Sequence, residues 1–506
     1  MAAPVVSPHV PSSRPNLLTR WLTFPAAINF LVFLVAFFNS LKGTIIEPDI
    51  WWHLRNAQLL VSSHSLPRFD QYSFTVAGSP WIDHEWLSEL MYYGMFKLFG
   101  LQGLLLLMIA AAGAIFALLY YRCREAGANP KTASIVMILG VLVASVVFGP
   151  RPHLLGWLCM SVLLVLLERF ADHRSAPLWV LPPLFCLWVN LHGSWLFGLI
   201  VLSTFLICGL ARLDWGLIAA EPMPAPDLRK LAVAAAASVG ALFINPFGYR
   251  LVAYPFDLLF RQTSNMANID EWRSVDFHDP RGKIVMLLLI VLFTCALAGH
   301  KKWKLREALL VLFALYVSLT YWRMQFFAAL IFVPLISTRL PLFPAYDEKK
   351  EKPILNAILI AGVILIMLVK FPGARALNDQ IARVYPERAL AFMRAHGLTE
   401  RVLNDYGWGG YIIWHEPEMK TFIDGRADLF VYKGVFDDYV KLVTTGEEFE
   451  LLDRYRIQTA LVKPSNKISY MLGHSSCWRS TYSDEIAVVY QRIPGECKLG
   501  YPIDRH

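Results

Sequence analysis

Residues 47–55 read EPDIWWHLR and follow an apolar run, residues 22–41, that is long enough to cross a bilayer. These nine residues hold two carboxylates, two tryptophans, a histidine and an arginine. A chain leaving a membrane thus puts dense polar and aromatic chemistry at its first step outside. On a helix, Asp49 and His53 are four apart and share a face, with Asn56 on the same side. Pro48 and Asp49 suit a helix start with Asp49 as N-cap, and Trp51 and Trp52 suit anchors at headgroup depth. One cap needs one carboxylate, so Glu47 is left over. Glu47 and Asp49 together suit either a divalent cation bound through oxygen or a general base that takes a proton from an attacking hydroxyl.

The surrounding composition is that of a membrane chain. Of 506 residues, 56% are hydrophobic and 17% charged, against roughly 25% charged in soluble chains. The formal charge of +8 fits cytoplasmic loops rich in Lys and Arg. No long basic tract, zinc-finger spacing or RNA-binding signature is present, so no nucleic-acid partner is expected. Apolar runs predict about eleven spans, near 22–41, 101–121, 132–149, 154–170, 177–191, 194–212, 230–245, 283–300, 306–321, 324–342 and 353–371. Alternation then puts RCREAGANPK, ERFADHRSA, 211–230, HKKWKLR and YDEKKEK inside, and each carries at least two Lys or Arg. The expectation is a polytopic α-helical protein of the inner (plasma) membrane. A cytoplasmic tail, 1–21, precedes a transmembrane domain, 22–371, whose first outside loop is 42–100; an extracytoplasmic α/β domain, 372–506, follows.

In that last domain, 385–396 reads as helix, VLND and TFID as strands, 435–457 as amphipathic helix, TALVK as a buried strand and WRSTYSDEIAVVYQR as a hairpin. Four cysteines, Cys159, Cys186, Cys208 and Cys295, lie in apolar runs as packing residues. Cys477 and Cys497 lie in the polar C-terminal region, where a disulfide could form if it is outside.

Other outside stretches add chemistry. In SPWIDHEWLSEL, Asp83 fits an N-cap, which leaves His84 and Glu85 unexplained. GPRPH, NLHGSW, NPFGYR and YWRMQ bring Arg151, His153, His192, Arg250 and Arg323 to the same predicted face. Each alone could snorkel to lipid phosphate. Together, beside an acidic loop, they suit an anionic phosphate ligand clamped by arginine near a carboxylate that moves protons. His53 and His84 are then candidates for contact with the acceptor. The glycines around Trp408 permit a tight turn or a close ligand approach beside Asp405, while Asp424, Gly425 and Arg426 read as a turn with a surface ion pair. No HExxH, Walker A, GxSxG or Rossmann fingerprint occurs.

EPDIWWHLR and WIDHEWLSEL resemble first-loop motifs of poorly characterised bacterial members of the GT-C superfamily of membrane glycosyltransferases. The plan of the whole chain is similar too. The resemblance implies a polyprenyl-phosphate-linked sugar donor and transfer on the extracytoplasmic face to a glycan, lipid or protein acceptor. Glu47-Pro-Asp49 stands where the family carries a DxD or ExD motif, which implies Asp49 and Glu47, then Asp83 and Glu85, as catalytic residues. No nucleotide or soluble cofactor is needed; a divalent cation, Mg or Mn, is an option, with Glu47 and Asp49 as its ligands. Asp405-Tyr406-Gly407 also resembles part of the WWDYG motif of oligosaccharyltransferases, implying acceptor contact at Asp405, Tyr406 and Trp408; here Leu403-Asn404 replaces the two tryptophans. The rival readings are a transporter or flippase of lipid-linked glycans, an O-antigen-ligase-type polymerase, and a non-catalytic membrane scaffold with a partner-binding outside domain. No inverted repeat of interrupted helices supports the transporter, and neither the ligase nor the scaffold requires the acidic first loop.

Overall fold

Prolines and short polar side chains decide where several apolar runs begin as helices. Asn129 accepts a hydrogen bond from the Lys131 N–H at 3.0 Å with Pro130 in the first turn, and Asp279 accepts one from the Arg281 N–H at 2.7 Å with Pro280. The computed structural model describes residues 22–41, 47–145, 148–261, 270–299, 301–445 and 450–494. The expected cytoplasmic tail, 1–21, and Cys497 lie outside the described residues.

The principal helices up to residue 370 are α1 Phe24–Leu41, α2 Ile50–Ser63, α3 Trp86–Phe99, α4 Leu101–Glu125, α5 Pro130–Ala144, α6 His153–Ala171 and α7 Leu181–Leu191. They continue as α8 Trp195–Leu210, α9 Ala225–Ala241, α10 Tyr249–Arg261, α11 Pro280–Ala298, α12 Leu305–Thr320, α13 Gln325–Arg339 and α14 Pro353–Lys370. After them come α15 Ala374–Ala382, α16 Glu387–Ala395, α17 Gly409–His415 and α18 Ala427–Tyr432.

The expectation of about eleven spans is overturned. Among the described residues, four helices are long and apolar enough to cross a membrane: α4, α6, α11 and α14. Apart from α1, the other runs give shorter helices, of 11 to 17 residues. Two prolines open α7, which has 11 residues; α13 has 15 and carries Pro334 inside it. The cause of the misreading is environment. Every residue of α13 from Gln325 to Ser337 is buried, so its apolarity serves protein packing. On α14 only Asn356 and Val363 are buried, and the rest of that apolar surface is left for lipid. Hydropathy cannot tell these two cases apart.

Two sheets accompany the helices. Strands β1 Leu213–Trp215, β2 Ile218–Ala220 and β3 Trp303–Lys304 form a small one. The C-terminal sheet runs β4-β5-β7-β6, from β4 Val402–Asn404, β5 Thr459–Val462, β6 Trp478–Ser483 and β7 Val488–Arg492. β4 and β5 are parallel, while β5–β7 and β6–β7 are antiparallel. The VLND strand, the TALVK strand, the hairpin and the helix near 385–396 all form. TFID does not become a ladder strand, because the Asn404 side chain takes over its backbone: Nδ2 donates to the Ile423 carbonyl and Oδ1 accepts from the Phe422 N–H. In the run 435–457, Val435–Val440 continues into a π-helical turn at Lys441–Thr445, and Leu451–Arg454 is helical, with 446–449 outside the described residues. Cys477 is disulfide-bonded.

This C-terminal region is stitched to the first loop. Phe74 N–H donates to the Thr421 carbonyl, Thr421 N–H to that of Tyr72, and the Thr75 hydroxyl to that of Phe422. Trp51 is 2% exposed and meets Tyr385, Tyr411 and His415 edge-on. Trp51 and Trp52 are therefore buried within protein rather than set at headgroup depth; a tryptophan's large apolar surface suits either environment.

Candidate functional site

The segment 47–53 folds onto a wall made by three other parts of the chain. Asp49 holds the N-cap position of α2, yet its side chain makes no capping bond; Oδ1 instead accepts from Trp52 Nε1 at 3.2 Å. Gly425 closes over it so tightly that a Cβ there would lie 1.7 Å from Asp49 Oδ1. Helix α3 brings the remaining walls in. Its Ser88 hydroxyl donates to the Leu191 carbonyl, which fixes the turn carrying His192, and its Tyr92 hydroxyl donates to the Arg151 carbonyl. The local start of α3 differs from expectation: Glu85, not Asp83, holds the N-cap position.

These elements enclose a cavity of about 220 Å³ lined by Asp49, His53, His84, Glu85, Arg151, His153, His192, Tyr254, Glu271, Arg323, Tyr406 and Asp428, among others. A second lobe of about 150 Å³ shares Glu85, Arg151, His153, His192 and Arg323 and continues into apolar surface at Trp157, Leu196, Phe197 and Met324. A larger cavity of about 300 Å³ lies at the other ends of α6 and α13. Its cations are taken up by neighbours: Arg122 by Glu168, Arg169 and Arg174 by Glu125, Lys304 and Arg306 by Asp172. It is a charged network more than a vacant site.

In the 220 Å³ cavity the two arginines differ. Arg151 is held between Glu47 and Glu271. Burial works against the Glu271 charge, but Arg151 and Arg323 outweigh it and hold its carboxyl down to about 2. Arg323 stacks on Trp272, with 4.6 Å from its guanidinium carbon to the ring centre, and forms no ion pair among the described residues. It is the cavity's available cation. Asp49 and Glu85 are its proton-active groups. Burial, reinforced by Glu47, pushes Asp49 up to about 7 against the pull of Arg151. Burial likewise lifts Glu85 to about 8, with Arg323 opposing.

Glu85 is ringed by imidazoles. His192 Nε2 lies 3.4 Å from it, and His53 and His84 each 3.7 Å. Burial drives His53 and His84 down to about 3 and His192 well below its ordinary value, so all three are neutral at pH 7. The Ser194 N–H donates to His192 Nδ1 at 3.0 Å, which leaves the proton on Nε2, facing Glu85.

The candidates sort by position. Asp49, Glu85, His53, His84, Arg151, His153, His192, Arg323 and Tyr406 line the cavity. Asp83 sits behind it, 1% exposed, and Glu47 behind Arg151. Arg250 is exposed on α10 and does not line it. Asp405 accepts from Lys463 Nζ, Asn466 Nδ2 and the Gly407 N–H, and Trp408 Nε1 donates to the Val384 carbonyl, so both hold the C-terminal fold. Arg426 is no surface pair: it is 2% exposed and bridges Asp70 and Asp424. Glu271, Tyr254 and Asp428 were not singled out from sequence. Tyr254 is hydrogen-bonded to Asp428, and burial pushes that carboxyl up to about 6. Lone acids and tyrosines in a loop or helix carry no spacing signal.

The fit to a resident divalent cation is poor. Glu47 Oε1 is buried without a hydrogen-bond partner, which a cation could satisfy. Yet the Arg151 guanidinium already neutralises Glu47, Asp49 turns to Trp52, and no group of three or more His, Cys, Asp or Glu able to hold a metal occurs among the described residues.

No protein-family model matches the chain, and no curated protein matches it in sequence. Solved structures do. The oligosaccharyltransferase of Archaeoglobus fulgidus, tethered to an acceptor peptide with an NVT sequon, superposes with a TM-score of 0.52 at 12% identity, covering 88% of this chain and 70% of that one. The same organism's oligosaccharyltransferase AglB, in complex with an inhibitory peptide and a dolichol-phosphate, gives 0.52 at 11% identity over 93% and 75%. ArnT from Cupriavidus metallidurans, bound to undecaprenyl phosphate, gives 0.48 at 12% over 94% and 99%. At such identity the likeness to the oligosaccharyltransferase is one of fold. The chain is a multi-pass membrane protein whose fold is like that of the oligosaccharyltransferase.

Proposed function

We propose that this protein is an integral membrane glycosyltransferase that moves a sugar from a polyprenyl-phosphate-linked donor to an acceptor on the extracytoplasmic face. The observation that carries the reading is Arg323, without an ion pair among the described residues, sharing one cavity with the proton-active Asp49 and Glu85, next to an apolar lobe. A lipid phosphate needs this combination: a cation for the headgroup and apolar surface for the first carbons of its tail. The oligosaccharyltransferase of like fold was seen with a dolichol-phosphate and with peptides, ligands of the kinds this reading calls for. The disulfide at Cys477 suits an oxidising, extracytoplasmic compartment for the C-terminal region.

In this reading Arg323, braced by Trp272, takes the charge that grows on the departing phosphate. Asp49 takes the proton of the attacking acceptor group; a carboxyl near 7 is well matched to that task at neutral pH. Asp428 and Tyr254 stand across the cavity, where they can order hydroxyls of the sugar or acceptor. No step is assigned to a metal. The test is Asp49→Asn, which keeps the side chain's size and its bond from Trp52. Purified protein in vesicles with a lipid-phosphate sugar should stay folded, keep donor binding and lose transfer by at least about 100-fold. Full transfer by that variant refutes Asp49 as the base.

A further inference from the structure

Behind the cavity wall lies a second group of ionisable side chains that the transfer step above does not use. Asp83 is 1% exposed, and Glu89 and Asn56 are fully buried. The Asn56 amide nitrogen donates to both carboxyls, at 2.6 Å to Asp83 Oδ2 and 2.7 Å to Glu89 Oε2, while its oxygen accepts from the Tyr72 hydroxyl at 3.2 Å. The other Glu89 oxygen lies 2.8 Å from His53 Nδ1, and the opposite ring nitrogen, Nε2, faces Glu85 at 3.7 Å. His53 is thus one imidazole between a buried carboxyl pair and a cavity carboxyl. The gap on the cavity side is about half an ångström beyond hydrogen-bond reach.

A structural account covers Asn56, Tyr72 and one acid; it does not call for two acids in contact, nor for an imidazole leading from them to the cavity. The groups facing the pair are His53, Tyr72 and Glu85, with Arg426 further off. Among the described residues no cation touches it. We propose, building on the transferase reading, that Asp83 and Glu89 form a buried proton store that recharges Glu85 through His53.

Burial, with mutual repulsion added, holds Asp83 well above the ordinary range, and burial does the same to Glu89, so both carry protons at neutral pH. The Glu89 hydroxyl then donates to His53 Nδ1, and the imidazole proton sits on Nε2, toward Glu85. In the step, Glu85 gives its proton to an oxygen of the departing phosphate at Arg323. The Nε2 proton passes to Glu85, and the Glu89 proton passes to Nδ1. One O–H bond breaks at Glu89 and one forms at Glu85; the imidazole changes tautomer and stays neutral. The pair is left with a single negative charge, which the remaining Asp83 proton and the Asn56 N–H donors stabilise. After product leaves, cavity water returns a proton along the same bonds in reverse. Asp83, Glu89 and His53 are positioning residues in this scheme, because none of them touches the substrate.

Infrared spectroscopy of the full-length protein in lipid nanodiscs tests the store without any transfer assay. Wild type at pH 7 should show a protonated-carboxyl band that Glu89→Gln diminishes. On transfer to D₂O that band should shift at least about tenfold more slowly in His53→Phe, and in His53→Gln if the phenylalanine variant does not fold, because the imidazole is the exchange path. No band sensitive to Glu89→Gln, or equal exchange rates in wild type and the His53 variant, overturns the proposal. In the transfer assay Glu89→Gln should lower kcat at least about tenfold with KM unchanged, and an unchanged kcat also overturns it. Should wild type transfer no sugar while the band and its exchange behave as stated, the transferase reading falls and the buried store stands.

Discussion

The Gly425 backbone passes so close to the Asp49 carboxylate that the approach can be tested with one carbon. In Gly425→Ala the new Cβ would lie 1.7 Å from Asp49 Oδ1, 2.8 Å from its Cγ and 3.0 Å from Trp52 Nε1. Ordinary carbon contact begins at about 3.5 Å, so the carboxylate must retreat by roughly 2 Å or the segment 424–426 must lift. Lifting is resisted, because Arg426 next door is clamped by Asp70 and Asp424. Overpacking of this kind costs about 1–3 kcal/mol. A reacting group misplaced by about 1 Å can cost about 100-fold in rate, so kcat should fall at least that far. The assay is transfer from a lipid-phosphate sugar in vesicles, with the thermal midpoint measured in parallel. Gly94→Ala is the control, since its Cβ meets nothing within 4 Å. The double variant Gly425→Ala, Asp49→Ala removes the two closest clashes and leaves only the 3.0 Å approach to Trp52 Nε1; it should recover most of the thermal midpoint and stay inactive. Wild-type kcat in Gly425→Ala, or no recovery of stability in the double variant, refutes the reasoning.

Three further outcomes follow from the geometry. Arg323→Gln should lower kcat/KM by at least about 100-fold and Arg323→Lys should recover part of it, whereas Arg250→Ala, outside the cavity, should leave both constants unchanged; steady-state kinetics decide. The rate should rise with pH through about 7, because below that value Asp49 holds a proton and cannot accept one, and should fall above about 8 as Glu85 loses the proton it donates; a pH–rate profile flat across this window contradicts both assignments. Arg426→Met leaves Asp70 and Asp424 buried without their cation and should cost about 3–5 kcal/mol, read as a lowered thermal midpoint in detergent; a midpoint like that of wild type would make the triad dispensable.

What the sequence revealed and hid follows from which physical properties are local. The start of α11 was written in residues 279–280, and the β6–β7 hairpin in its alternation and polar turn. Span count was not local. The apolar surface of α13 is covered by other helices and that of α14 is not, and this depends on packing partners far away in sequence. The same holds for Trp51, whose partners Tyr385, Tyr411 and His415 lie more than 300 residues on. TFID reads as a strand, yet its backbone is satisfied piecemeal: Thr421 bridges to the first loop, and the Asn404 amide bonds Phe422 and Ile423 where a neighbouring strand would have done so.

The site divides along the same line. Asp49, Glu85, Arg151, Arg323 and four imidazoles were legible as residue types on one predicted face, and they do line one cavity. Their charge states were not legible, because those depend on who stands next to whom. Arg151 and Arg323 look alike in sequence. In the fold, Glu47 and Glu271 occupy the first, while the second has no ion pair among the described residues, so in the proposed reading phosphate binding falls to Arg323 rather than Arg151. Glu47 moves with it: a carboxylate neutralised by a guanidinium is no longer a spare cation ligand or a base, and its role becomes holding Arg151 beside Asp49. That guanidinium pulls Asp49 down while burial and Glu47 push it up, and the balance is a carboxyl near 7. An acid in deep apolar surroundings alone would stay protonated, and one paired directly with arginine would stay ionised. The intermediate arrangement, with the cation shared away to two other carboxylates, leaves Asp49 able to gain and lose a proton at neutral pH.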